Sequence, residues 1–293
     1  MDLKDIQVHY LRKMTQIHLY QRAMRALASK ELDSINNLDY RFNLKPEIKE
    51  KAYSHHNMSY KKAIDGKDVF FGKTTIGIDE HRLSVHLHTN KQYQWLLAEA
   101  YEEFEDCLEL LYAYAGMKDI NFWPLCDYGN ISISELKNKN FDWYLTKAKD
   151  KKGSPRSIIN SFRSSYPNIK LLETKNALGI DLNLAITLVE HMRHVIVHRA
   201  GVVHDKARFT ENVLKKSGLF NSGNPSSTNI EFIESYFDVH EQKTIILLIE
   251  QSVQLSTHIV GYYNIFDTLS GFLMTYVDII VEQLREKTTT PPS

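Results

Sequence analysis

The stretch LVEHMRHVIVHRAG, Leu188–Gly201, decides how this chain is read. It sets three histidines, two arginines and a glutamate among valines, leucine, isoleucine and methionine. A solvated helix face would carry Lys and Glu instead, and a core helix would avoid charge. Asp181 stands where a helix N-cap is needed, with a carboxylate that can take an orphan N–H of the first turn. Gly201 suits the left-handed position just past a helix end. At about 100° per residue, Glu190, His191, Arg193, His194 and His198 fall on one arc. Leu188, Val189, Met192, Val195 and Ile196 fall opposite, so the helix is sharply two-sided. One side packs; the other gathers groups that titrate near neutrality or hold phosphate. Val197 and Ile186 interrupt the polar arc, which suits a groove or a dimer seam. No Lys occurs between Asp181 and Val203.

Outward from this segment, most of the chain reads as helix. Leu97, Tyr101, Phe104, Leu108, Leu111 and Ala115 step by fours and threes and end near Gly116, a buried helical stripe. Leu3, Ile6, Tyr10, Met14 and Ile17 predict a helix at the N-terminus. Ile259, Tyr262, Phe266, Leu269, Leu273, Val277, Ile280 and Leu284 predict a long C-terminal one, with Gly261 and Gly271 inside it. RSIINSFRSSY predicts a shorter helix closed by Pro167. Strands are the minority: RLSVHLH alternates Leu83, Val85 and Leu87 against Ser84, His86 and His88. IEFIESYF and TIILLI read as a small strand pair, and LFNSGNPSSTN, Leu219–Asn229, as a loop. The expected fold class is therefore mainly α, an antiparallel helical bundle with a small amount of β-strand. A change of character near residue 90 separates an N-terminal region, 1–89, of open role from a helical domain at 90–287. The biased tail at 288–293 is expected to be disordered.

The chain has 293 residues, enough for a sizeable core, with 43% hydrophobic and 25% charged residues. Lys plus Arg and Asp plus Glu are 36 each, so there is no global basic field and any nucleic-acid site must be local. Cys107 and Cys126 have no metal-ligand spacing and read as buried thiols of a reducing cytoplasm. The charged opening MDLKDIQVHYLRKM lacks an apolar signal core, and FLMTYVDIIV is too short to span a bilayer. A cytoplasmic location without a membrane partner is expected.

The spacing Arg193-His-Val-Ile-Val-His198 resembles the R-x4–6-H signature of the HEPN superfamily. These all-helical domains include many metal-independent ribonucleases of toxin–antitoxin and phage-defence systems. The motif closes an amphipathic helix, has a polar residue directly after Arg193, and carries Glu190 one turn earlier. HRAGVVHDKARF resembles the exit from this helix in bacterial members. A second match, Arg199 to His204, is broken by Gly201 and is set aside. The resemblance implies a homodimer in which motif helices face each other across a shared cleft. It implies Arg193 on the scissile phosphate and His198 as general acid or base, with Glu190 and His194 in support. Neither metal nor cofactor is implied, and the products would be a 2′,3′-cyclic phosphate and a 5′-hydroxyl. Arg193 and His198 are about 140° apart on an ideal helix, so they converge either because Arg is long and His198 sits at the helix end, or because a second protomer supplies the partner. Some HEPN toxins are silenced by adenylylation of a tyrosine two residues after the motif histidine. Ala200 stands at that position here, so an antitoxin or other regulatory partner would work differently.

Other constellations are weaker. His81, His86, His88 and the Ser54–His56 run lack a carboxylate or Cys at metal-ligand spacing. KAKDKKGSPR, Lys147–Arg156, could guide an RNA backbone but reads as a solvated loop. Most tyrosines fall on apolar stripes and belong to the core. The reading is thus a HEPN-type endoribonuclease. The alternative is a non-catalytic HEPN-like module binding a nucleotide or a partner, and a third reading is a structural helical protein.

Overall fold

The computed structural model describes residues 1–44, 54–220, 225–256 and 259–289. The protein is mainly helical with a few short antiparallel strands. Two compact units divide it: Tyr20–Gln92, and Met1–Leu19 together with Tyr93–Ser293. The division falls within the two longest helices, α1 (Leu3–Asn43) and α2 (Ile78–Lys118). Residues 1–19 thus group with 93–293 rather than with their neighbours in sequence. The cause is the stripe Leu3, Ile6, Tyr10, Met14 and Ile17, all of it buried.

The smaller unit holds the rest of α1, the start of α2 and a hairpin of β1 (Ser54–Lys61) and β2 (Asp68–Ile76). Arg82 ties its two helices, donating to Asn36 at 3.2 Å and Asp39 at 3.3 Å. The expected strand RLSVHLH lies inside α2 and is helical. Its alternation is local, and Leu83, on the supposed apolar face, is exposed. The helical period continues through Thr89, Asn90, Tyr93, Gln94 and Leu97, all buried, and three of those five are polar.

In the larger unit five shorter helices follow: α3 (Leu125–Tyr128), α4 (Ile133–Leu136), α5 (Phe141–Lys149), α6 (Arg156–Ser165) and α7 (Pro167–Thr174). Pro167 ends the reach of α6 and opens α7, where its missing N–H costs nothing. The motif helix is α8 (Leu182–Arg199), followed by β3 (Val202–Val203), α9 (Lys206–Ser217) and α10 (Ser227–Glu234). Then come β4 (Phe237–His240), β5 (Lys243–Ile246), β6 (Gln251–Ser256), β7 (Ile259–Tyr263) and α11 (Ile265–Thr289). Helix α8 packs against α7, α9 and α11. Their interior joins Leu97, Phe104, Leu108 and Leu111 of α2 to Phe266, Leu269, Leu273 and Ile280 of α11 in the core. Phe104 meets Tyr276 edge-on, with ring centroids 6.2 Å apart. One charged cluster is buried there: Arg163 Nε donates to Glu173 at 2.7 Å, and Tyr276 donates to the same oxygen at 2.5 Å.

Three further expectations change. The C-terminal stripe is one helix only from Ile265, since Ile259 and Tyr262 lie in β7. Asn264 caps α11 by accepting from Asp267 N at 3.1 Å, and this fixes the start. The segment IEFIESYF is split: α10 takes residues through Glu234 and only Phe237 enters a strand. That strand pairs with β5, which opens the TIILLI run, through the left-handed turn Glu241–Gln242. Part of the expected loop Leu219–Asn229 lies outside the described residues, and Ser227–Asn229 open α10 instead. The tail from residue 290 is likewise outside the described residues, while α11 continues to Thr289.

The end of α8 is held by a compact knot. Ala200 and Gly201 take left-handed φ of 52° and 80°, so the chain turns one residue earlier than expected. Gly201 N–H points back to the Val195 carbonyl at 3.2 Å, while its own carbonyl accepts from Ile246 N at 3.0 Å. The Ile246 carbonyl in turn accepts from the buried Gln94 amide at 2.7 Å. A Cβ on Gly201 would stand 2.2 Å from Gln94 Oε1, whereas a Cβ on Gly218, at φ 79°, meets nothing within 4 Å. Gly201→Ala should therefore cost roughly 2–4 kcal/mol, strain plus overpacking, and Gly218→Ala only about 1 kcal/mol. Urea denaturation of the two variants measures the difference.

Candidate functional site

Helix α8 changes character along its length. Every residue from Leu182 to Val189 except Asn183 is buried, so its first two turns are core. Asp181 caps this end, accepting from Leu184 N at 2.9 Å. Beyond it Met192, Val195 and Ile196 stay buried, Glu190, His191 and Arg193 are half-buried, and His194, Val197, His198 and Arg199 are exposed. Ile186, expected to interrupt the polar arc, is 1% exposed and packs within its own chain. Val197 is 37% exposed and remains the apolar residue of the outer face.

Arg193 lines a cavity of about 320 Å³ with Glu190, His191, His194, Glu105 and Lys216 among its neighbours. Its Nη2 donates to Glu102 Oε1 at 3.1 Å. The Glu102 side chain is 56% exposed, so that pair contributes about 1 kcal/mol at most. Arg193 Nε is buried with no acceptor among the described residues. Its guanidinium is thus weakly committed and has donors to spare.

Glu190 is committed elsewhere. Its carboxylate takes Lys216 Nζ at 2.6 Å and Arg156 Nη2 at 3.3 Å. Arg156 also donates to Asn183 at 2.8 Å and to the buried Thr187 hydroxyl at 2.6 Å. Among the described residues Glu190 thus pairs with these two cations rather than with Arg193. Arg156 ends the KAKDKKGSPR run, which is not a solvated loop. Lys151 in that run is largely buried, pairs with Asp127 and lies 5.0 Å over the Tyr112 ring.

Glu105, which also lines the Arg193 cavity, belongs to no motif in the sequence; it is half-buried one turn after Tyr101 on α2. Burial, with Glu190, Glu102 and Glu109 nearby, raises its pKa from 4.5 to about 7 against the pull of Arg193. His191 moves the other way, from 6.5 to about 4, first by burial and then by Lys216. Its Nε2 is buried without a partner among the described residues, and its ring meets Phe209 edge-on at 5.9 Å. His194 is also pulled down, first by burial and then by His198 and Arg199.

The histidine pair is the second focus. His194 and His198 are one turn apart with ring centroids 4.6 Å from each other. Neither has a carboxylate partner among the described residues. A second cavity of about 450 Å³ lies beside them, lined by His191, His194, Arg199, His204 and Arg208 among others. His194 therefore borders both cavities, while His198 lines neither of the two. One chain alone does not bring Arg193 and His198 together; His194 is the residue adjacent to both.

The remaining candidates separate. His86 and His88 share no face, since helical residues two apart diverge by about 200°. The side chains of Ser54–His56 lie outside the described residues. No group of three or more His, Cys, Asp or Glu able to hold a metal occurs among the described residues. Cys107 is buried as expected, but Cys126 is exposed. No helix of the described residues is long and apolar enough to cross a membrane. Comparison with family models, curated proteins and solved structures finds no match for this chain.

The opposed shifts give a pH test. Glu105 holds its proton more tightly in the folded chain, so its contribution favours folding at low pH and is lost as pH rises from 4.5 to about 7. His191 binds its proton less tightly when folded, so its contribution is present above 6.5 and is lost as pH falls to about 4. Relative to wild type, Glu105→Gln should gain stability as pH rises through the first window. His191→Asn should do so as pH falls through the second. Urea titrations at half-unit pH steps read both differences, and parallel curves would show that neither group is shifted.

Proposed function

We propose that this protein is a metal-independent endoribonuclease of the HEPN kind, acting as a homodimer in a toxin or phage-defence setting. The observation that carries the reading is the outer face of α8. A helix otherwise given to the core presents a weakly held Arg193 and two carboxylate-free histidines in ring contact. The acid beside them, Glu190, is neutralised by Arg156 and Lys216. Charge placed this way is available to a ligand rather than spent on the fold.

In the proposed reaction the RNA 2′-hydroxyl attacks the adjacent phosphorus and expels the 5′-oxygen. Arg193 stabilises the charge growing on the non-bridging oxygens. His198 takes the hydroxyl proton or returns one to the leaving oxygen, and His194 holds it in place through their ring contact. Because Arg193 and His198 face apart within one chain, the proposed site joins Arg193 of one protomer to His198 of its partner. Val197 would lie at that seam. A regulatory partner, such as an antitoxin, would restrain the activity by covering this face.

The test is cleavage of mixed cellular RNA in EDTA by wild type, Arg193→Ala and His198→Ala. Wild type should leave fragments ending in 2′,3′-cyclic phosphate, and each variant should lose on the order of 100-fold or more while staying folded. No cleavage by folded, dimeric wild type would replace this reading with that of a binding module.

A further inference from the structure

The second cavity beside α8 carries charge that the proposed cleavage step does not use. Arg199 and Arg208 both line it, and neither forms an ion pair among the described residues. Of the other arginines after residue 93, Arg156, Arg163, Arg193 and Arg285 all reach carboxylates. His204 and His194 add two imidazoles to the same wall. The lining has one carboxylate, Asp205, and its Oδ1 is occupied as the cap of α9, accepting from Arg208 N at 2.9 Å. Like-charged groups do not converge on a concave surface without cost; His194, pulled down first by burial and then by His198, is lowered further by Arg199. A ligand bearing negative charge would remove that repulsion.

The local backbone explains the convergence. Arg199 is the last residue of α8, and the left-handed pair Ala200–Gly201 reverses the chain through β3. His204 and Arg208 are thereby brought back beside the turn they left. The Arg199–His204 spacing, which Gly201 removes from any helix, becomes a juxtaposition across this reversal.

We propose that this cavity is a phosphate subsite for the RNA strand continuing beyond the cut, with Arg199 and Arg208 holding a backbone phosphate. The assignment rests on the ribonuclease reading for its substrate. His194 borders this cavity and the one that holds Arg193, so a strand gripped here continues directly toward the proposed scissile bond. The volume, about 450 Å³, lies within the range of small-ligand sites. Arginine's planar fork suits phosphate oxygens better than an ammonium does.

The test is fluorescence anisotropy with a fully 2′-O-methylated RNA oligonucleotide, whose blocked hydroxyls prevent cleavage. Wild type should bind it, and Arg199→Ala/Arg208→Ala should bind about tenfold or more weakly, with a salt slope lower by about one to two. The double Lys variant should recover most of the affinity. Both arginines are exposed, and circular dichroism checks that the fold persists. Unchanged affinity and slope in the Ala variant, or no binding by wild type, would overturn the assignment. Arginine-dependent binding of ATP or AMP that the oligonucleotide fails to displace would also overturn it, making a free nucleotide the ligand. Failure of the two proposals is distinguishable. Arginine-dependent RNA binding without RNA cleavage sinks only the ribonuclease reading, whereas cleavage indifferent to both arginines sinks only the subsite.

Discussion

Three groups fix the place where the motif helix stops: the Gly201 carbonyl, the Ile246 backbone and the Gln94 amide. Ile246 donates to Gly201 and accepts from Gln94, so one residue of β5 ties the exit of α8 to α2. All of it is buried, and a buried amide left unpaired would cost about 1–3 kcal/mol. The knot leaves no room for a side chain at 201. Had α8 continued one more turn, His204 and Arg208 would not return beside Arg199, and the outer end of the helix would be an ordinary solvated terminus. The knot thus determines which charges meet and which face solvent.

A second constraint is the sorting of charge along one helix. Glu190 sits at the transition from core to surface, and two cations from other elements, Arg156 and Lys216, neutralise it. Arg193, one turn on, is left with an exposed glutamate as its partner. Burial then separates the nearby titrating groups: Glu105 is pushed toward neutrality, and His191 is kept uncharged at ordinary pH. A carboxyl near 7 and a poorly committed guanidinium thus share one cavity. That combination suits handling a phosphate more than stabilising a fold.

Much of this architecture is legible in the sequence where apolar spacing carries it. The stripes from Leu3 to Ile17 and from Leu97 to Ala115 are core, and the Asp181 cap places the start of α8. Legibility fails where polar residues hold the buried positions. Thr89, Asn90 and Gln94 continue the helical period of α2 without an apolar signal, so the short alternation of RLSVHLH reads as a strand. At the C-terminus Ile259 and Tyr262 match the stripe of α11 by spacing alone, and the Asn264 cap breaks the continuity. The outer-face residues Arg193, His194 and His198 could be named from residue type and helical phase. Their partners could not, because Glu102, Glu105, Arg156 and Lys216 come from other elements. Arg199 and His204 have the motif spacing with a helix-ending glycine between them, and that glycine is what brings them together.

The proposed composite site makes a demand that a site within one chain does not. Mixed dimers of Arg193→Ala and His198→Ala protomers contain one intact Arg193–His198 pairing across the seam, although each parent dimer contains none. Measuring RNA cleavage by the re-equilibrated mixture is therefore the most direct test. Random pairing should restore about a quarter of wild-type activity, since half of the dimers are mixed and each has one of its two sites. A mixture as inactive as its parents, with mixed dimers shown to form, would contradict the shared site.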